Sequence, residues 1–121
     1  MIGANYQAKA IAAVLGSSHS AIIPEGLWGA WLDVTLTVIE DTGIGILHSA
    51  FEETATGVAN TSIIDAGTMP ASTPTHFALM DASVGGEIVA YVPITFAVAP
   101  TVGDAVAFPP GSLVFEYVVA P

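Results

Sequence analysis

The side chains of this chain that could do chemistry are its histidines (His19, His48 and His76), its adjacent carboxylates (Glu40-Asp41 and Glu52-Glu53) and its serines. A metal centre needs three or four ligands converging on one ion at about 2 Å. The histidines are far apart, and none has a ligand neighbour at the short spacing of a metal motif. No metal is therefore expected, and each histidine reads as a core or interface residue donating to a backbone carbonyl. His76 and Asp81 flank one predicted strand at odd separation, which points them to opposite faces, so the spacing implies no His–Asp pair. A glycosidase needs two carboxyls facing each other across roughly 5 to 9.5 Å, whereas adjacent residues on a strand point apart. The spaced acidic loop of an EF-hand is absent, and these acids read as solvated loop residues. No serine sits in a Gly-x-Ser-x-Gly elbow. The absence of cysteine removes a thiolate nucleophile, a thiolate metal site and a disulfide framework. Gly85-Gly86 reads as a hairpin turn, since neither a lysine nor a following helix would make it a phosphate cradle. The expectation is a non-enzymatic protein with no catalytic, cofactor-binding or metal-binding residues and no cofactor.

Charge narrows the choice of partner. Eleven carboxylates face one basic side chain, Lys9, for a formal net charge of -10 over 121 residues. Nucleic-acid binding needs cations to neutralise phosphates, so nucleic acids, and with them phosphate esters and nucleotide cofactors, are disfavoured. The surface of a soluble domain is about a quarter to a third charged, yet only 10% of this chain is charged and 53% is hydrophobic. Its surface must be built from small, polar and apolar groups, which suits packing against other subunits. A membrane span is not expected. Residues 88–103, the longest uncharged stretch of the C-terminal half, contain Pro93 and Pro100 and fall short of the roughly 20 apolar residues a spanning helix needs. The apolar run after Lys9 is too short for a signal peptide and has no clean small-residue cleavage site after it, so no targeting segment is expected.

The elements that would carry these residues are mostly strands. Residues 5–15 read as a short helix capped by Asn5 and ended by Gly16. From Trp31 to Val38 the chain alternates, which predicts a strand with Leu32, Val34, Leu36 and Val38 inward and Asp33, Thr35 and Thr37 outward. Glu40 to Gly43 reads as a turn, 44–52 as a returning strand, 53–61 as a loop and 62–65 as a short strand. Thr75 to Asp81 and Glu87 to Ile94 read as partner strands joined by a tight connection. The second is apolar on both faces, which predicts a central strand or a subunit contact. Turns at 102–104 and 109–111 separate two last strands, 105–108 and 113–119. The fold class is mainly β, a small antiparallel β-sandwich (jelly-roll or Ig-like) preceded by a short N-terminal helix. It forms one domain over 1–121, with the helix and an arm in 1–20 and the sandwich in 21–121.

Three runs carry a resemblance. They are Pro24-Glu25-Gly26-Leu27-Trp28-Gly29-Ala30-Trp31-Leu32, the stretch from Thr75-His76-Phe77-Ala78-Leu79-Met80-Asp81-Ala82 to Gly85-Gly86-Glu87, and Val102-Gly103-Asp104 followed by Phe108-Pro109-Pro110-Gly111-Ser112-Leu113. Over nearly the whole chain this plan resembles the small virion structural proteins of tailed bacteriophages, variously named tail-fibre-like, minor structural and head-decoration proteins. The shared positions are turn glycines and core residues. One departure is clear: relatives carry a Gly-Tyr-Ala-Arg-like element where this chain has Gly45 to Phe51 without arginine, so no arginine-mediated contact carries over. The resemblance implies a capsid decoration or cement protein on the outside of the virion. Its partners would be the phage major capsid protein and itself, as a homotrimer by analogy with decoration proteins at three-fold positions. The alternative is a tail-fibre or baseplate component that recognises a host glycan.

The candidate contact residues follow from the apolar pattern. A helix apolar on most sides is buried or docks on a partner, and docking is the favoured reading here, through Tyr6, Ile11, Val14 and Leu15. Trp28 and Trp31 would lie on opposite strand faces. Trp31, in phase with Asp33 and Thr35, reads either as exposed, where tryptophan marks binding hot spots, or as covered by a neighbouring loop. Tyr91 joins them on the two-faced strand.

Overall fold

The computed structural model describes residue 3 and residues 26–55, 57–96 and 100–116. The predicted helix 5–15 lies outside the described residues. Nine strands are described: β1 Leu27–Leu32, β2 Val38–Ile46, β3 Phe51–Glu53, β4 Gly57–Asn60, β5 Ile64–Thr68, β6 His76–Met80, β7 Ile88–Pro93, β8 Ala105–Phe108 and β9 Val114–Glu116. A single 3-10 turn, His48–Ala50, separates β2 from β3. All pairings are antiparallel, in three sheets with strand orders β2-β1-β6-β7, β3-β4-β9 and β5-β8. The protein is mainly β.

One core joins the three sheets. Trp31 and Phe77 come from the four-stranded sheet, Ile64, Val106 and Phe108 from the two-stranded one, and Phe115 from the three-stranded one. Trp31 meets Phe77 edge-on with centroids 5.1 Å apart, and Phe77 lies 5.0 Å from Phe108. Edge-to-face rings at such distances put the positive rim of one ring against the negative face of the next. The strand period explains the division of β1 and β6. Trp31 and Phe77 face this core, while Ala30, Leu32, Ala78 and Met80 form a second buried cluster on the opposite face. Gly29 is required by close packing, because a Cβ there would sit 2.7 Å from Phe77 Cζ.

Several expectations are corrected. The alternating run 31–38 is no single strand. It breaks at Asp33, and residues 33–37 form the β1–β2 hairpin turn, leaving Val34 74% exposed. Asp33 N donates to Thr37 O and Leu36 N to Asp33 O, with Leu36 at φ 63, the left-handed position that closes a three-residue hairpin loop. The Asp33 carboxylate wins over alternation because its Oδ1 accepts from Thr35 N, Thr35 Oγ1 and Thr37 N, a turn the side chain itself organises. Glu40 to Gly43 lies inside β2 and is no turn, and the expected loop 53–61 contains β4. The strand placed at 62–65 runs from Ile64 to Thr68. β7 is not central. It pairs only with β6 among the described strands, at the sheet's edge, and Ile88 to Val92 are half-buried. Gly3 N donates to Val89 O on this strand at 2.8 Å.

Candidate functional site

Among the described residues, no three histidine or carboxylate side chains come together in a metal-binding group. His76 sits half-buried on β6, with Nδ1 hydrogen-bonded to Thr75 Oγ1 at 2.8 Å and its ring edge-on to Tyr91. Asp81 lies beyond the strand and uses Oδ1 to accept Glu87 N, closing the β6–β7 connection. The two residues serve different local structures. Asp41 accepts Gly85 N through Oδ2 at 3.3 Å. Glu52 and Glu53 are exposed on β3. His19 lies outside the described residues.

What the surface does offer is apolar. Val34, Leu47, Ile63, Val84 and Val102 are each between 66% and 75% exposed. Val34, Val84 and Val102 tip the turns before β2, β7 and β8. Leu47 and Ile63 share one shallow groove of about 240 Å³ with Ile44 and Asp65. Their exposure has a local cause. Adjacent residues of a strand face opposite ways, so Ile46 and Ile64 enter the core while their neighbours Leu47 and Ile63 are left in solvent. Ala50, buried at the end of the 3-10 turn and bonded through its N–H to Leu47 O, fixes one wall of the groove. The Asn60 side-chain amide, donating to Ser62 O, fixes the other.

A larger groove of about 520 Å³ runs between the end of β7 and β8, over Ile94, Phe96, Pro100, Ala107 and Leu113. A smaller concavity of about 100 Å³, reaching Met69 and Val102, shares Phe96 and Pro100 with it. Among the described residues, no ionisable side chain lines either one. A fourth cleft of about 150 Å³ lies at the seam of β2 and β5 and is walled by Trp31, Glu40 and Thr42. Trp31 Nε1 and Asp41 Oδ1 are buried without a hydrogen-bond partner. Two turn acids are electrostatically set. Thr35 and then Thr37 hold Asp33 below its ordinary pKa of 3.8, and the Thr101 N–H and hydroxyl do the same for Asp104.

Of the expected contact residues, Tyr6, Ile11, Val14 and Leu15 lie outside the described residues. Trp28 and Trp31 do face opposite ways, and of the two readings of Trp31 the exposed one is wrong: it is 1% exposed, the largest fully buried side chain, and Trp28 is the half-buried one. The parity argument fails because the strand ends at Leu32, so Asp33 and Thr35 do not share a face with Trp31. Tyr91 is half-buried against His76. The sequence reading missed Leu47, Ile63 and Val102. The first two were signalled by the doublets Ile46-Leu47 and Ile63-Ile64, in which one member must leave the core. No protein-family model matches this chain, and no protein of curated function shows significant similarity to it.

Proposed function

We propose that this chain is a non-enzymatic structural protein of a tailed-bacteriophage virion, a small β-sandwich of jelly-roll or Ig-like type that decorates and cements the outer capsid surface. Its partners are the major capsid protein and other copies of itself, as a homotrimer. The observation that carries the reading is the set of large aliphatic side chains held in solvent on an acidic chain with one basic residue. Apolar groups displayed singly are ordinary, but Leu47 and Ile63 flank a common groove beside Asp65, which suits a partner surface both apolar and basic. A decoration protein that binds only the expanded shell stabilises it by mass action, about 2.7 kcal/mol per site at a hundredfold excess over Kd.

The signature of the tail-fibre alternative is exposed aromatics, Trp31 and Tyr91, on a loop-edged face; Trp31 lies in the core and Tyr91 is half-buried. Quantitative mass spectrometry of purified virions tests the proposal. One copy per one to a few major capsid proteins is expected. A few to a few tens of copies per particle would place the chain in the tail, and none would remove it from the virion.

A further inference from the structure

We propose that the β6–β7 connection, residues 82–86, is a strap latched by Asp41 across the outer face of the four-stranded sheet, and that it opens locally while the core stays folded. The inference is independent of the virion reading.

The topology sets up the latch. The connection joins β6 to β7, whereas Asp41 belongs to β2, on the far side of β1 in the order β2-β1-β6-β7. Neighbouring strands lie about 4.8 Å apart, so roughly 10 Å separates β6 from β2. Asp41 is in register with Ala30, and cross-strand partners share a face. Ala30 is buried with Leu32, Ala78 and Met80 on the face opposite Trp31. The Asp41 carboxylate therefore stands on that outer face, where its Oδ2 accepts Gly85 N at 3.3 Å. To donate there, the connection folds back over β1. Its base is firmly closed: Asp81 N donates to Glu87 O at 3.1 Å, and Glu87 N donates to Asp81 Oδ1 at 2.7 Å. Gly86 packs so tightly at this base that a Cβ would sit 2.7 Å from Ala82 N.

The energetics make the latch weak where the base is strong. The Gly85–Asp41 bond is longer than the usual N–H···O range of about 2.7–3.2 Å. With the strap closed, Asp41 Oδ1 is buried without a hydrogen-bond partner. A buried acceptor left unmet costs about as much as one hydrogen bond to a charged group contributes, so the two nearly cancel. Val84, at the tip of the connection, is 75% exposed and adds little burial to hold it down. A segment with so little net gain opens by itself, below the free energy of global unfolding. Opening pivots on the Asp81–Glu87 base and returns Asp41 Oδ1 to solvent. The strap thus switches one carboxylate between concealed and displayed on the outer sheet face.

The test is native-state amide hydrogen exchange of the full chain, read by NMR in wild type and Asp41→Ala, with urea unfolding of both. In wild type, exchange at Gly85 N should be insensitive to urea below the unfolding transition, as local opening requires, while Ala78 N in the core follows global unfolding. In Asp41→Ala, Gly85 N should exchange about fivefold faster, the loss of one hydrogen bond. Glu87 N should keep its wild-type rate, because its bond to Asp81 is untouched. The urea midpoint should hold or rise, since the unmet oxygen leaves with the side chain. Unchanged exchange at Gly85 in the variant overturns the latch. A midpoint that falls with Gly85 protection, or an Asp41→Ala chain that fails to fold, overturns the independent opening and makes Asp41 an ordinary tie in the fold.

Discussion

Asn60 and Leu113, 53 residues apart, are joined by two hydrogen bonds: Leu113 N donates to Asn60 Oδ1 at 2.9 Å, and Asn60 N donates to Leu113 O at 3.2 Å. Asn60 is the one buried polar side chain among the described residues, and its amide nitrogen also donates to Ser62 O and Pro109 O, each at 2.9 Å. Gly111 N closes the set by donating to Asn60 O. One side chain thus pins the 109–111 turn to the end of β4 and fixes how β8 passes into β9.

Replacing it leaves several buried backbone groups unmet. Asn60→Ala is expected to destabilise the fold by about 3 kcal/mol. Asn60→Asp should cost more, because a carboxylate would face the Ser62 and Pro109 carbonyls that now accept from the amide. Urea unfolding midpoints measure both. An Asn60→Ala protein as stable as wild type would show that the hydrogen bonds contribute nothing net.

Trp31 contributes volume and not a hydrogen bond, since its Nε1 has no partner in the protein. Trp31→Phe should therefore cost about 1–2 kcal/mol and Trp31→Ala about 3–5 kcal/mol. Equal losses in thermal unfolding would mean that the indole N–H matters. Loss of glycan binding in Trp31→Ala would report a damaged core and not a lost contact.

Gly29→Ala should destabilise by about 1–3 kcal/mol, the usual cost of overpacking. Its Cβ would press on Phe77, which is fully buried, and on Thr42 Oγ1 at 3.0 Å, which donates to Gly29 O. The same unfolding assay checks it, and a neutral outcome would show that the Phe77 ring has room to move.

Acid should weaken the fold partly through two turns. Asp33 and Asp104 have folded pKa values below the ordinary 3.8, so the unfolded chain takes up their protons first. Their contribution is fully present above that value and is lost as the pH falls through the lower folded one. The double variant Asp33→Asn/Asp104→Asn should be less stable than wild type at pH 6. The gap should narrow once the pH drops below 3.8. A gap that stays constant across denaturation curves at successive pH values would show that these turns do not depend on ionisation.

The sequence by itself determined the β character, the β6–β7 hairpin, the turns at 102–104 and 109–111, and the acidic surplus that shapes any interface. Those follow from local rules: period-two apolar runs, glycine where φ is positive, and a count of charges. It also determined that Trp28 and Trp31 face opposite ways, because strand parity is local. Only the tertiary structure decided which of the two is buried, since that depends on Phe77 and Phe108 arriving from β6 and β8. It decided likewise that the alternating run after Trp31 becomes a turn, where the Asp33 carboxylate and three hydrogen bonds outweigh a pattern that Val34 and Val38 satisfy equally well as a strand. The candidate surfaces were hidden for the same reason. Exposure of Leu47, Ile63 and Val102 is a property of which segments meet in space, and no periodicity in the chain encodes it.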